Sequence, residues 1–525
     1  MAAEKLIAYD LGTGGIKASL FDRDGQSLAE VFRQYDTFYP HDKWIEQRPL
    51  DWWDGVCFAT KKLLKEAGCD PQDIAGAALS GHSLVAVPLD KDGGLLADRV
   101  PIWCDMRAFD QVAPFFKDLT YEDWYTTTGN GDPEETYTIF KLMWMREHQR
   151  EVFNKIDRIL GSKDFINYKL TGRVATDPSY ASGFGVFNQL GWDYEDRFFE
   201  AAGIDKAIFP EIIPSDAVVG SVTEEASAEC GLLPGTPVAC GAVDNTCMSL
   251  GARGLDEGVV YASLGSSSWI AVTSQTPIVD VPTRPFVFAH AKKGYYTSAV
   301  SIFSAGNSFR WIRDNLMNDF AAAGGSDASS ASPADDRVNI YDVMNRMAAS
   351  VPAGANGVLF NPTLAGGSAQ EPSPDLMGGF MGLTLATTRE DLVRASMEGV
   401  ALALRHTLDI LKKQVDVTGD MLLTGGCSKS AVWRRIFCDV FNMPVLKTNV
   451  DQDCASLGAA ALAANAVGLW DGYDHIPAIH IKEDRLEPDP EAAAYYEKLL
   501  GVYERWTDAL AECSEELVKI RRERR

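Results

Sequence analysis

The chain states one local pattern twice. Leu6-Ile7-Ala8-Tyr9-Asp10-Leu11-Gly12-Thr13-Gly14 stands near its start, and Tyr261-Ala262-Ser263-Leu264-Gly265-Ser266-Ser267-Ser268-Trp269 near its middle. Each is an apolar run with strand character that breaks into a tight turn of Gly with Ser or Thr. Such a turn bares consecutive backbone N–H groups and hydroxyls, a concavity suited to phosphate oxygens. One copy in each half implies two domains gripping one polyphosphate from opposite sides. Only the first copy carries an aspartate, so the two turns are expected to do different jobs.

A chain of 525 residues is too long for one core and fits two or three domains. The first half alternates strands and helices, which implies an α/β domain. Lys5–Asp10 reads as a buried strand with Ile16–Asp22 as its hairpin partner, and Asp51–Ala67 as an amphipathic helix. Ile74–Ser80 and Leu84–Leu89 read as further strands. The second half opens near Gly254 with the repeated motif. It continues with a long helix over Glu390–Lys413, a short strand at Met421–Leu423, and a helix from about Ser430 that Asn442 and Pro444 end. The Ala/Gly/Ser-rich stretch Ala321–Ala334 reads as a surface excursion. From Pro490 to Arg525 the tail reads as helical, with Asp489 as its N-cap. The expected division is residues 1–253, 254–489 and a helical extension over 490–525.

A net charge of −25 argues against nucleic-acid or anionic-membrane partners, since both need basic faces. It leaves ATP open, because Mg²⁺ and backbone N–H groups meet that charge locally. No apolar run approaches the roughly 18 residues of a membrane span. The N-terminus enters a strand directly, without a basic leader, so a signal peptide is not expected. Ten cysteines include no C-x-x-C pair and no zinc spacing, and Cys240, Cys247 and Cys438 sit in apolar or small-residue surroundings. Buried free thiols in a reducing cytoplasm are the expectation.

No Gly-Lys dipeptide occurs, which excludes a P-loop. Gly12-Thr13-Gly14-Gly15-Ile16-Lys17 nearly spells a dinucleotide fingerprint, but Lys17 replaces the third glycine and another strand follows where a helix is needed. The alternative is the hairpin phosphate loop of actin-like ATPases. There an Asp holds Mg²⁺ and a Gly-Thr turn wraps the phosphates, roles that fit Asp10, Gly12 and Thr13, with Lys17 adding a cation. A plain Asp-Gly turn is the bland alternative, and the echo at Gly265 and Ser266 weighs against it. Just before the second turn, Cys240-Gly241-Ala242-Val243-Asp244-Asn245-Thr246 sets a carboxylate among small residues, where a bound hydroxyl can approach. Phosphoryl transfer to a hydroxyl wants such a base. A helix N-cap is the competing role for Asp244 and Asn245.

From about Leu6 to Leu500 the chain resembles the FGGY carbohydrate kinase family, closest to its xylulokinase-like branch. Gly378-Gly379-Phe380-Met381-Gly382-Leu383 followed by Asp391-Leu392-Val393-Arg394-Ala395-Ser396-Met397-Glu398 matches every position of the second family signature. Thr138-Ile139-Phe140-Lys141-Leu142-Met143-Trp144-Met145-Arg146-Glu147-His148 matches the first, except that Thr136 stands where an aromatic, Met, Gly or Ser is usual. Ser162–Gly172 and Trp44-Ile45-Glu46-Gln47 with Trp52 and Trp53 are similar to further landmarks.

The resemblance implies two actin-like, ribonuclease H-like domains with a cleft between them, and a cytoplasmic ATP-dependent sugar kinase. It implies Asp10 for Mg²⁺; Gly12, Thr13 and Lys17, then Gly265 and Ser266, for the phosphates; and Asp244 as catalytic base. Gly306 and Arg310 would contact the nucleotide, and Gly425, Gly426 and Ser430 would hold the adenosine, although a plain turn before a helix would look the same. In the xylulokinase-like branch a Gly-Gln-Met-His-Gly segment lines the sugar pocket. Here the aligned run is Gly81-His82-Ser83-Leu84-Val85, and Trp103-Cys104-Asp105-Met106-Arg107 replaces Trp-Asn-Asp-Thr-Arg. His82, Ser83, Trp103, Asp105 and Asn245 are therefore the expected substrate contacts, with a structural histidine as the other reading of His82. Arg107 is expected to pair with a carboxylate. A ketopentose such as xylulose is the expected substrate; ribulose, erythritol and gluconate are alternatives, and a nucleotide switch or a sensor without catalysis are others. Related sugar kinases are often dimers, so the resemblance leaves a homodimer open, although no interface stripe is legible in the sequence.

Overall fold

In the computed structural model, residues 3–317 and 339–523 are described. The excursion expected over Ala321–Ala334 and the last two residues of the tail lie outside them. Two seven-stranded sheets organise the chain. The first holds β1 (Lys5–Gly12), β2 (Gly15–Phe21), β3 (Ser27–Gln34), β4 (Ile74–Gly81), β5 (Val218–Ser221), β6 (Pro237–Ala239) and β7 (Ala242–Val243), in the order β5-β6-β4-β1-β2-β3 with β7 beside β4. The second holds β8 (Val259–Leu264), β9 (Ser268–Ser274), β10 (Phe286–Ala289), β11 (Tyr296–Ile302), β12 (Thr418–Thr424), β13 (Val445–Thr448) and β14 (Lys482–Leu486), in the order β10-β11-β9-β8-β12-β13-β14. Each contains a hairpin whose first strand also pairs in parallel with a later one, β1 with β4 and β8 with β12. The repeated motif is thus the opening hairpin of each sheet.

The helices that matter below are α1 (Pro49–Glu66), α2 (Thr138–His148), α3 (Asp244–Gly251), α4 (Gly306–Leu316), α5 (Arg389–Leu411), α6 (Ala431–Phe441), α7 (Cys454–Ala466) and α8 (Pro490–Glu523). None among the described residues is long and apolar enough to cross a membrane. The expected elements appear with small boundary shifts, apart from the strand at Leu84–Leu89. Only Val87–Leu89 is extended there; Leu84 has a φ of +62° and its carbonyl is captured by Lys141. That local geometry overrides an apolar, strand-like composition.

Contacts divide the chain into two compact units. The first comprises Met1–Asp256, Thr273–Ser298 and Asp453–Ile481. Its helix α1 packs on β2 and β3, with Trp52 fully buried and Tyr9 of β1 bonding Thr60 at 2.7 Å. Helix α7 is small and apolar all round, as a helix buried on every side must be. It packs on β1, β4 and α3. A Cβ on Gly458 would lie 2.0 Å from the Cys247 carbonyl oxygen, and one on Gly251 would lie 1.9 Å from that of Cys454. These glycines set the close approach of α3 and α7.

The second unit comprises Glu257–Val272, Ala299–Gln452 and Lys482–Arg525. Here the second signature explains itself as scaffold. Thr388 and Asp391 form a reciprocal capping box at the start of α5, with bonds of 3.3 and 2.8 Å. Glu398, buried one face further on, accepts from Arg394 (2.7 Å), Tyr496 of α8 (2.6 Å) and the Gly354 amide (3.0 Å). Asp489 accepts from the Glu491 and Ala492 amides at 2.9 and 3.0 Å, capping α8 as expected.

The glycine contact gives a contrast to measure by denaturant unfolding. Gly458→Ala should destabilise the protein by about 1–3 kcal/mol, the usual cost of overpacking. Gly501→Ala in α8, whose nearest neighbour would be 3.8 Å away, should be neutral or stabilising by up to ~1 kcal/mol.

Candidate active site

In the first unit, β1 carries Asp10 into register with Ser80 of β4 on one side and Lys17 of β2 on the other. Ser80 Oγ donates to Asp10 Oδ1 at 2.9 Å. Burial raises the Asp10 carboxyl above its ordinary range, opposed by the Lys17 charge and the Ser80 hydroxyl. Lys17 pairs with Asp453 at 2.7 Å, at the start of α7. Although burial opposes its charge, Asp453 and then Asp10 hold the ammonium above its usual range.

The turn after β1 is buttressed from several directions. Gln47 donates to the Thr13 carbonyl at 2.7 Å and accepts from Trp52 Nε1 at 3.0 Å, which gives the Trp44–Trp53 landmark a physical purpose. Tyr35 donates its hydroxyl to the Gly12 carbonyl. Trp103, half exposed, donates from Nε1 to Thr13 Oγ1 at 2.9 Å, so a candidate sugar contact and a candidate phosphate contact touch directly.

His82 follows β4 and is buried. Its Nδ1 lies 3.1 Å from the Leu11 carbonyl oxygen, which can only accept, so Nδ1 carries the proton and Nε2 is left as a bare acceptor. Nε2 is buried with no hydrogen-bond partner among the described residues. Burial lowers the ring's pKa to about 4, keeping it neutral. Ser83 beside it is also buried. Asp105 differs in kind: its oxygens accept from Arg107 Nε (2.8 Å) and Nη2 (2.7 Å) and from the Ile45 amide (2.6 Å). Arg107 also reaches Glu46 at 2.8 Å and stacks 4.0 Å from the Trp44 ring. Its pairing with carboxylates is as the sequence suggested.

Asp244 is the first residue of α3, and the Asn245 amide donates to its Oδ1 at 2.7 Å. Burial, reinforced by the negative charge of Asp10, pushes the Asp244 carboxyl up to about 7. The backbone leading to it is clamped by a buried polar network. Lys163 pairs with Asp164 (2.6 Å) and Asp177 (3.0 Å), and Asn167 donates to the Cys240 carbonyl at 2.7 Å. Asp177 accepts from Ser179 Oγ at 2.5 Å, and Ser179 Oγ accepts from the Val243 amide at 3.0 Å. Ser162 Oγ donates to the His82 carbonyl at 2.6 Å, so one network fixes both His82 and the approach to Asp244.

In the second unit the turn Gly265–Ser267 is braced by the start of α4. The Gly306 amide donates to the Gly265 carbonyl, and the Ala305 and Asn307 amides to that of Ser266, all at 3.0 Å. A Cβ at Gly306 would stand 2.5 Å from the Gly265 oxygen, so this packing requires glycine. Gly425 follows β12, whose Thr424 is in register with Ser263, and its φ of +87° also calls for glycine. Its amide donates to Asp451 at 3.0 Å. Ser430 caps α6, accepting from the Trp433 amide at 3.3 Å, and its hydroxyl donates to Asn345 at 2.7 Å. Gly265, Ser266, Gly306 and Gly425 are therefore one cluster; Gly426 is next in the chain with open space around its Cα, and Arg310 lies one turn into α4 on an exposed face.

Among the residues of these clusters without a role in the sequence analysis are Tyr35, Ser80, Asp453 and Asp451. Ser80 and Gly81 ending a strand parallel to β1 were a usable signal. The two late aspartates were not, because only the fold brings them to Lys17 and Gly425.

Comparison with known proteins agrees with this geometry. Residues 6–251 match the N-terminal domain, and 260–467 the C-terminal domain, of the FGGY family of carbohydrate kinases. The chain is 27% identical over 498 residues to a xylulose kinase of Bacillus subtilis, covering 95% of this chain and 93% of that one. The crystal structure of a gluconate kinase from Lactobacillus acidophilus superposes with a TM-score of 0.88 at 25% identity, covering 98% and 99% of the two chains. That of a xylulose kinase from Rhodospirillum rubrum gives 0.85 at 28%, covering 97% and 100%. Phosphoryl transfer to a sugar is thereby favoured over a nucleotide switch. The chain belongs to the FGGY family of carbohydrate kinases and is a sugar kinase that takes ATP as its phosphoryl donor.

Proposed function

We propose that the acceptor is a ketopentose of the xylulose type and that Asp244 is the base that takes its hydroxyl proton. The observation that carries the second part is the place of Asp244, a partly buried carboxyl at the head of α3 that desolvation and the Asp10 charge push up to about 7. A base near neutrality is both ionised at working pH and basic enough to accept a proton. In this reading His82 Nε2 accepts from a sugar hydroxyl, with Ser83, Trp103 and Asn245 around it. Asp105, already engaged by Arg107, holds the turn that presents Trp103.

Asp10 would hold Mg²⁺. Its partly buried carboxylate, carrying a desolvation cost and lying close enough to Asp244 to shift it, fits a divalent ion that takes one or two carboxylates and otherwise water and phosphate. When bound, that ion would neutralise phosphate charge. Gly12, Thr13 and Lys17, and in the other unit Gly265 and Ser266, would meet the phosphates. Gly306, Arg310, Gly425, Gly426 and Ser430 would hold the rest of the nucleotide.

Gluconate is the second reading, because a gluconate kinase matches the fold as well as the xylulose kinases do. Charge favours the neutral sugar. Lys17 and Arg107 are already paired with carboxylates, and His82 is neutral. A sugar acid would bring a further negative charge beside Asp10 and Asp244.

A coupled ADP assay over xylulose, ribulose, erythritol, glycerol and gluconate tests the substrate. Turnover confined to gluconate would overturn the ketopentose. Asp244→Ala should abolish sugar phosphorylation and leave ATP binding nearly intact; retained sugar turnover would sink the base assignment. For the wild type, kcat/KM for the sugar should fall about ten-fold per pH unit on the acid side of about 7, as protonation removes the base. A profile flat from pH 8 to pH 5 would contradict it.

A further inference from the structure

Lys141, the lysine of the first signature, is buried in the first unit and takes no part in the chemistry above. Its Nζ donates to two carbonyl oxygens, Leu84 and Ile102, each at 2.7 Å. No ion pair to a carboxylate is formed by it among the described residues. Burial lowers its pKa to about 7, with the Asp105 charge opposing. An ammonium in such a place is costly, and an apolar side chain of similar length would fill the space without that cost. What a lysine adds here is a donor able to satisfy two buried carbonyls at once.

Those carbonyls belong to separate segments of the carbohydrate side. Leu84 directly follows His82 and Ser83; Ile102 directly precedes Trp103. Leu84 is held at a φ of +62°, a left-handed backbone that costs a leucine energy and persists only where surroundings enforce it. Lys141 takes its carbonyl, and Thr138, one turn earlier on the same face of α2, donates to the next carbonyl, Val85, at 3.3 Å. The helix thus holds the loop in the conformation that ends β4 and turns His82 and Ser83 inward. Through Ile102 it ties that loop to the turn whose Trp103 reaches Thr13.

We propose that Lys141 is a positioning residue for the carbohydrate. It sets the spacing between the His82–Ser83 loop and Trp103, and so governs sugar affinity and discrimination more strongly than it affects ATP, whose turn it reaches only through Trp103 and Thr13. The proposal rests on the assignment of His82, Ser83 and Trp103 to the sugar.

Two measurements on the full-length protein decide it. In Lys141→Met, the KM for the preferred sugar should rise about ten-fold or more, each lost hydrogen bond to a buried carbonyl being worth roughly that factor. The KM for ATP should rise several-fold less than that for the sugar, since Lys141 reaches the phosphate turn only at second hand, through Trp103 and Thr13. Lys141→Gln, which keeps a donor, should lie between Met and wild type. In hydrogen exchange, Lys141→Met should accelerate the amides of residues 83–86 and 102–105 while β1 and α5 keep their protection. An unchanged sugar KM overturns the proposal, as does a parallel rise in both KM values with faster exchange throughout, which would mark general destabilisation. Should the wild type phosphorylate none of the sugars, the substrate reading falls separately. Exchange then decides the clamp, and unaltered exchange in both segments would reject it.

Discussion

Desolvation of two carboxylates is the constraint around which the first unit is arranged. Asp10 lies inside a sheet between a hydroxyl and a lysine, and its charge reaches Asp244 at the head of α3. Neither could be tolerated in an ordinary core without partners. The surroundings supply them differently: Ser80 and Lys17 for Asp10, and the Asn245 amide for Asp244. Burial raises both carboxyls, and the negative charge of Asp10 adds to it at Asp244, which is pushed up to about 7. In the proposed reading, different surroundings give two similar groups different tasks, charge-holding for Asp10 and proton-accepting for Asp244.

The paired hairpins follow the same division. Both sheets place a glycine turn after the first strand and run that strand parallel to a later one, yet each turn is stabilised differently. The first is held by side chains, with Gln47, Tyr35 and Trp103 on Gly12 and Thr13. The second is held by backbone, through amides at the start of α4 that require Gly306. A turn braced by side chains has its position coupled to what surrounds those side chains. A turn braced by a helix start is rigid on its own account.

Much of this was legible in the chain because the signals were local. The hairpin of β1 and β2, the long helix α5, the start of α6 near Ser430 and the Asp489 cap of α8 are all decided within a few residues. The signatures gave the family, but most of the second one proves to be scaffold: Asp391 caps a helix, and Glu398 with Arg394 ties α5 to α8. What stayed hidden depends on partners far along the chain. Leu84–Leu89 has strand composition, but a lysine more than fifty residues later bends its start. Asp453 meets Lys17 across 436 positions, a pairing no spacing rule could anticipate.

That last contact belongs to a larger fact, the return of α7 to lie on β1, β4 and α3. The first unit therefore cannot close its core until Asp453–Ile481 has left the ribosome, although most of its sequence is made long before. Domains usually fold as they emerge. Here the opening hairpin must wait, with one flank bare, through the synthesis of the more than four hundred residues that separate it from α7. The late helix acts as a keystone, and the site around Lys17 takes its final form only once Asp453 and the helix it opens have been added.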